Sequence, residues 1–449
     1  MSRRLFGTDG IRGRAGEYPL DRHTVAHLGR SLIEHLSRRG LRGRVAIGYD
    51  TRASSESICA SLLEGICHAG GEALVAGVIP TPGVAFLTRA DGFDAGVVIS
   101  ASHNPYQDNG IKVFQSDGTK LSDGDEAQVE AGLLDPDLTQ IPAGPAGNGG
   151  QVDPSLAGEY AAHLIDTVRG RVDLTGARVV IDCANGASSA VAPRVFAALG
   201  VEATVLSCDP DGTNINRGCG SLHPDGLARA VRAARADAGL AFDGDADRCL
   251  AVDDTGRILD GDYILYLTGT DLNRRGHLPT GTIVATVMSN LWLEERFASD
   301  GLRLLRAPVG DKYVLDEMAR GGHVLGGEQS GHVIFRDLAT TGDGILTGLM
   351  LLAAWKSDGR RLSEMVAGIT PHPQVLINVA VADKPDLDSH AEIGPLLRRA
   401  ARSLAGRGRL LVRYSGTEPL ARVMAEGRDA DEIHRIAGEV AAALRDHLV

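Results

Sequence analysis

The densest chemistry in the chain lies in Asp243-Gly244-Asp245-Ala246-Asp247-Arg248, where three carboxylates alternate with small residues. An extended or curled loop can aim all three at one point, and a hard divalent cation suits such an oxygen-rich site. A solvated acidic turn would share the string, but Leu240-Ala241-Phe242 just before it reads as a buried strand. An EF-hand calcium loop fails further on, because its sixth position is Arg248 rather than Gly and its twelfth is Asp254 rather than Glu.

Ser100-Ala101-Ser102-His103-Asn104-Pro105 sets hydroxyls beside an imidazole just past another apolar run, where a nucleophile would be presented. The string does not choose between the serines, and a capped turn accounts for it equally well. Lys112 follows closely enough to bring that loop a positive charge or an acid/base amine. Gly327-Glu328-Gln329-Ser330-Gly331-His332 joins small residues to donors and acceptors fit for a hydroxyl-rich ligand. Arg413-Tyr414-Ser415-Gly416-Thr417 pairs a guanidinium with two hydroxyls and a flexible backbone, which suits a phosphate dianion. Phe6-Gly7-Thr8-Asp9-Gly10-Ile11-Arg12-Gly13 is a turn or a second phosphate-adjacent loop carrying Arg12. Neither a Walker A string nor a G-x-G-x-x-G after a strand is present, which argues against kinases and dinucleotide enzymes.

Three sets of apolar runs are available to hold these loops. The first is Arg44–Gly48, Gly71–Val75 and Asp94–Ser100; the second is Arg178–Asp182, Gly200–Leu206 and Asp237–Asp243; the third and looser set is Thr282–Thr286, Gly301–Leu305 and Gly322–Gly326. Helix-like stretches such as Glu56–Ala69 and Ala187–Leu199 separate them, so each set predicts a β-α-β-α-β unit with a parallel sheet. Ligands collect at the carboxyl ends of strands in such sheets, and each third strand runs into one of the polar loops. Residues 135–154 read as a linker, with further breaks near Asp254-Thr255-Gly256 and Thr370-Pro371-His372-Pro373. Alternation in Val375–Val381 and Leu410–Tyr414, then an amphipathic helix over Asp431–His447, predicts a small α+β unit at the end. The expected domains are residues 1–150, 151–255, 256–370 and 371–449.

Composition sets the outer bounds. The 449 residues are 43% hydrophobic and 23% charged, as in a globular protein, and 57 glycines point to many tight turns. A net charge of −12 argues against a general nucleic-acid binder, so an anionic ligand needs a local basic cluster. Six cysteines without C-x-x-C or metal-type spacing predict reduced thiols in a cytoplasmic protein. The basic start lacks a following apolar region, and the longest apolar run, Ile345–Trp355, is too short for a membrane span.

Taken together and in order, these strings resemble the α-D-phosphohexomutase superfamily from Phe6 to Gly427. The resemblance implies three related α/β domains and a smaller α+β C-terminal domain around a central cleft. It implies that Ser102 is a phosphoserine, that Asp243, Asp245 and Asp247 hold Mg²⁺ with it, and that Glu328 and Ser330 grip sugar hydroxyls. Arg413, Ser415, Gly416 and Thr417 would bind the non-reacting phosphate, while Arg12, Lys112, Arg248 and His332 surround the phosphoryl group in transfer. The opening motif, Ile99–Lys112 and Gln329 are most similar to the bacterial amino-sugar branch. That branch interconverts glucosamine 6-phosphate and glucosamine 1-phosphate through glucosamine 1,6-bisphosphate, supplying UDP-N-acetylglucosamine for cell walls. The alternatives are a mutase for mannose or glucose phosphates and a non-catalytic sugar-phosphate sensor. The expected partner is a small phosphosugar, with no nucleic acid or membrane, and the expected state is monomer or homodimer.

Overall fold

Apolar runs such as Val97-Val98-Ile99 and Val179-Val180-Ile181 have no polar alternation, as strands covered on both faces require, and all six side chains are buried. The computed structural model describes residues 5–7, 9–133, 151–415 and 419–448. The first sheet contains β1 (Phe6–Gly7), β2 (Gly10–Arg14), β3 (Arg44–Tyr49), β4 (Glu72–Val78), β5 (Ala95–Ile99) and β6 (Asp108–Gln115), in the order β1-β2-β6-β5-β3-β4. The second contains β7 (Arg178–Asp182), β8 (Glu202–Leu206), β9 (Ala238–Phe242), β10 (Cys249–Asp253) and β11 (Ile258–Leu259), in the order β11-β10-β9-β7-β8. The third contains β12 (Thr282–Thr286), β13 (Arg303–Ala307), β14 (Leu325–Gly327) and β15 (Val333–Phe335), in the order β13-β12-β14-β15.

The repeat expected from the sequence is therefore present, with one addition. In each sheet three parallel strands lie in the same relative order, and an antiparallel fourth strand pairs with the third: β4-β3-β5-β6, β8-β7-β9-β10 and β13-β12-β14-β15. The sheets are mixed for that reason. In the third set the strand starts later than expected, because Gly322 (φ +67) caps the helix Asp311–Gly321 and β14 begins only at Leu325. The predicted helix over Ala187–Leu199 is a 3₁₀ turn, Ala187–Ala190, followed by a helix at Ala192–Ala198 with a proline in its first turn. Asp254-Thr255-Gly256 forms the turn between β10 and β11, where Asp253 Oδ1 accepts the N–H groups of Thr255 and Arg257. Of the predicted linker, residues 135–150 lie outside the described residues.

By contacts the chain forms two units, the described residues of Met1–Met288 with Leu302–Ala367 and those of Ser289–Gly301 with Gly368–Val449. The first holds the three mixed sheets. Its apolar run near Ile345 is a buried helix, Gly344–Asp358. Among the described residues no helix is long and apolar enough to cross a membrane. The second unit holds an antiparallel sheet of β16 (Gln374–Ala380), β17 (Gly408–Tyr414) and β18 (Leu420–Gly427), in the order β16-β18-β17. The helix Ala430–Leu448 buries Ile433, Ile436, Ala437, Val440, Ala441 and Leu444 at helical spacing, and these join Val379 and Val423 in that unit's core.

The helices Arg22–Arg38 and Ser55–His68 approach closely in the first unit. A Cβ on Gly65 would lie 1.7 Å from the carbonyl oxygen of Ala26, and one on Gly29 would lie 2.3 Å from that of Leu62. Gly65→Ala is expected to cost about 1–3 kcal/mol, read as a lower Tm in thermal unfolding. Gly438→Ala, where nothing lies within 4 Å of the added Cβ, should leave Tm unchanged or raised.

Candidate active site

Each polar loop leaves the carboxyl end of the third strand of its repeat, β5, β9 or β14, before the antiparallel fourth strand returns. Strand geometry thus settles where the loops begin, and side chains of the first two repeats settle their shape. Ser102 is buried and left-handed (φ +52), a conformation that costs a non-glycine residue about 1–2 kcal/mol. Its N–H donates to Ser100 Oγ (2.9 Å), and that hydroxyl donates to Asp50 Oδ2 (2.6 Å). Asp50 also pairs with Arg52 Nε at 2.8 Å, both side chains being fully buried. The Arg52 guanidinium donates to the carbonyls of Ser102 and Asn104 at 2.9 Å each, to that of Asp108 at 3.0 Å and to that of Pro105. From the second repeat, Asn216 Nδ2 donates to the Ser102 carbonyl at 2.9 Å. Within this clamp Ser100 Oγ is engaged in the scaffold, while Ser102 Oγ faces the acidic loop and donates to Asp243 Oδ2 at 2.6 Å.

Carboxylate oxygens of Asp243, Asp245 and Asp247 lie within 4.8 Å of one another, and all three residues are buried. Asp245 Oδ1 and Asp247 Oδ1 have no hydrogen-bond partner among the described residues. Burial raises the Asp243 pKa, and its neighbours Asp247 and Asp245 push it the same way, well above the usual carboxylate range. Burial also works against ionised Asp247, but Lys112, His332 and Arg248 outweigh it and hold that group well below the range. Orphaned oxygens and a carboxyl that cannot ionise comfortably beside its neighbours fit a hard cation at this point.

Lys112 belongs to β6, opposite Val98 of β5, so the antiparallel strand delivers it. Its amine lies 2.9 Å from Asp245 Oδ2, 3.3 Å from Asp247 Oδ2 and 3.1 Å from Asp9 Oδ2. Burial disfavours the ammonium, yet Asp245, Asp9 and Asp247 outweigh that and keep Lys112 charged. Thr81 Oγ1 donates to Asp245 Oδ2 as well (2.6 Å). Arg248 donates its backbone N–H to Asp243 Oδ1 at 3.2 Å, and its Nε is 3.8 Å from Asp247 Oδ1. Arg12, on β2 opposite Gly110, pairs with Asp9 at 2.6 Å. His103 Nδ1 is 3.2 Å from Ser102 Oγ, but burial, with Arg248 and Arg12, lowers its pKa to about 4 and leaves it neutral.

In the third loop Glu328 Oε1 accepts from the Gly310 N–H (3.1 Å), and Ser330 Oγ donates to Glu328 Oε2 (3.3 Å). Gln329 turns its amide to Asp262 Oδ2 at 3.2 Å and so braces the loop against the start of the helix Gly261–Arg274. His332 Nδ1 is 3.7 Å from Asp247 Oδ2, and its Nε2 accepts from the Gly342 N–H at 3.0 Å. Arg12, Lys112, Arg248, His332, Ser102 and the acidic triad thus form one connected cluster in the first unit, with Glu328 and Ser330 on the same loop as His332. Arg413 and Ser415 belong to the second unit, described by itself. Arg413 on β17 is paired across the sheet with Arg422 on β18, and burial followed by Arg422 lowers its pKa. The Ser415 carbonyl accepts from Lys384 Nζ at 2.7 Å. Gly416 and Thr417 lie outside the described residues.

Asp50, Arg52, Asn216 and Thr81 stand outside the polar strings of the sequence, and Asp9 lies within the opening one. One signal was available for the first two: Tyr49-Asp50-Thr51-Arg52 places two charges directly beyond a buried strand, where a solvated turn needs neither.

The four domains of the phosphoglucomutase/phosphomannomutase family match the chain in order, with alpha/beta/alpha domain I over residues 3–139, domain II over 159–256, domain III over 260–372 and the C-terminal domain over 376–443. The chain is 48% identical to the phosphoglucosamine mutase of Symbiobacterium thermophilum, over 99% of both chains. It is 45% identical to that of Syntrophotalea carbinolica, over 100% of this chain and 98% of the relative. The crystal structure of a phosphoglucomutase/phosphomannomutase family protein from Burkholderia thailandensis has a TM-score of 0.79 at 25% identity, covering 98% of this chain and 97% of that one. Fold and full-length similarity agree: the chain belongs to the phosphoglucomutase/phosphomannomutase family of α-D-phosphohexomutases.

Proposed function

We propose that this chain is a cytoplasmic phosphoglucosamine mutase, an isomerase that interconverts glucosamine 6-phosphate and glucosamine 1-phosphate through a phosphoserine at Ser102. The observation that carries the reading is the buried Ser102 hydroxyl, held on a strained loop and donating at 2.6 Å to Asp243 of the acidic triad, whose other members pair with Lys112 and Arg248. Phosphoryl transfer asks a protein for positioning and charge neutralisation more than for new covalent chemistry, and this cluster supplies both. The bond from Ser102 Oγ to phosphorus breaks as O1 of glucosamine 6-phosphate bonds to it, giving glucosamine 1,6-bisphosphate. Lys112 or His332 relays the proton of O1 to the freed Ser102 Oγ, giving a proton to Oγ as it takes the one from O1. The bisphosphate then turns end for end, and its 6-phosphoryl group returns to Ser102. Asp243, Asp245 and Asp247 would hold Mg²⁺ with the phosphoserine, and the bound ion would offset a phosphoserine charge of about −2.

Glu328 and Ser330 hold the sugar by its hydroxyls, and Arg12 and Arg248 face the transferring group. Arg413 and Ser415, with Gly416 and Thr417, bind the phosphate that does not react. Relatives 44–48% identical to the chain bear the phosphoglucosamine mutase name, which supports the amino sugar over mannose or glucose phosphates. Gln329 is engaged with Asp262, so its part in that choice is to shape the loop. The six free cysteines accord with a reducing compartment.

Ser102→Ala should lower turnover by more than about 10³-fold while Tm and phosphosugar binding stay near wild type; full activity would overturn the reading, and a wild type never phosphorylated at Ser102 by mass spectrometry would favour a sensor. Asp245→Asn should weaken Mg²⁺ binding by roughly tenfold or more in calorimetry, and an unchanged titration counts against the cation site. With trace bisphosphate and Mg²⁺, kcat/KM should be highest for glucosamine phosphate, whereas a preference for glucose or mannose phosphate moves the chain to another branch.

A further inference from the structure

Beyond β6, the strand that carries Lys112, the chain makes a tight turn and returns. Gln115 N–H donates to the Thr119 carbonyl at 2.7 Å, Gln115 Nε2 donates to the Lys120 carbonyl at 3.0 Å, and Phe114 bridges to Lys120. Gly118 at the tip takes φ +78, and its carbonyl accepts from Thr340 Oγ1 of the third repeat at 2.6 Å. Lys120 then projects its amine between two carboxylates, Asp311 Oδ2 at 2.6 Å and Asp9 Oδ1, with only 15% of its side chain exposed. Burial works against the charged amine, but Asp311 and Asp9 outweigh it.

Each of those carboxylates is shared with a group assigned to the reaction. Asp9 takes Lys112 and Arg12 on its other oxygen. Asp311 Oδ2 lies 3.6 Å from His332 Nε2, and Asp311 opens the helix whose preceding residue, Gly310, gives its N–H to Glu328. A single amine therefore joins the support of Lys112 to the support of both His332 and Glu328. Without it Asp9 and Asp311, with 26% and 15% of their side chains exposed, face each other as part-buried like charges, and both supports shift.

We propose that Lys120 is a positioning residue for phosphoryl transfer, which through Asp9 and Asp311 fixes the distance between the Ser102–Lys112 side of the site and the sugar loop Glu328–His332. The proposal rests on the mutase reading above and names a residue that touches neither substrate nor cation. A displacement of about 1 Å at a reacting centre costs about 10²-fold in rate, so the effect belongs in kcat.

The test uses the full-length enzyme and whichever of glucosamine 6-phosphate or glucose 1-phosphate the wild type turns over faster; a wild type inactive on both sinks the function rather than this inference. Lys120→Met should lower kcat by roughly 30- to 100-fold, with KM changed less than about threefold and Ser102 phosphorylation by mass spectrometry unchanged. Asp311→Asn, which keeps the side-chain volume, should lower kcat similarly, and the double variant should be no slower than the worse single one. A kcat within about threefold of wild type in both single variants, losses that multiply in the double variant, or a loss confined to KM would each overturn the proposal. If Lys120→Met fails to fold, the kcat and KM of Asp311→Asn decide between the same outcomes.

Discussion

Three buried carboxylates set the terms for everything around them. Two ionised groups 4.8 Å apart repel by about 3 kcal/mol at an effective dielectric near 20, and the loop of β9 brings three together. Such a cluster persists only if positive charge stands beside it, and its sources are Lys112 from the first repeat, His332 from the third and Arg248 from the loop itself. The packing of the first repeat on the second follows from this demand. Thr81 and Lys112, on different elements of the first sheet's domain, both end on Asp245, so the acidic loop serves as the point on which that domain is seated.

The serine loop answers the same demand from the other side. The phosphoryl transfer proposed for Ser102 asks for a fixed hydroxyl, and the backbone around Ser102 is held by four carbonyl contacts from Arg52. Arg52 in turn is neutralised by Asp50 at full burial. Breaking such a pair by removing one partner costs several kcal/mol, whereas the intact pair adds little net stability. Its contribution is shape, and it sustains the left-handed backbone at Ser102.

What the sequence disclosed follows from the range of the interactions involved. The buried strands and the three loops were legible, because continuous apolar runs and carboxylates at alternate positions are local signals. The antiparallel fourth strands were not: residues 108–115 mix glycine, charge and apolar side chains in no single period, and 249–253 offer only the short apolar run Cys249-Leu250-Ala251-Val252 directly behind a charged loop. Yet β6 is what delivers Lys112. The clamp on Ser102 joins residues 50, 52, 102 and 216 across the chain, and pairings of that separation leave no trace in one sequence. Gln329 shows the reverse case: its string pointed to sugar chemistry, while its side chain is spent on Asp262.

The shared order of strands in the three sheets, with each working loop leaving the third strand, gives the molecule a division of labour. One repeat carries the serine, the next gathers the acids, and the third presents Glu328 and Ser330. These loops occupy equivalent positions on separate sheets of a common frame. On the proposed reading, a change of sugar preference can be confined to residues 327–331 and their brace on Asp262, leaving Ser102, the acidic triad and His332 untouched.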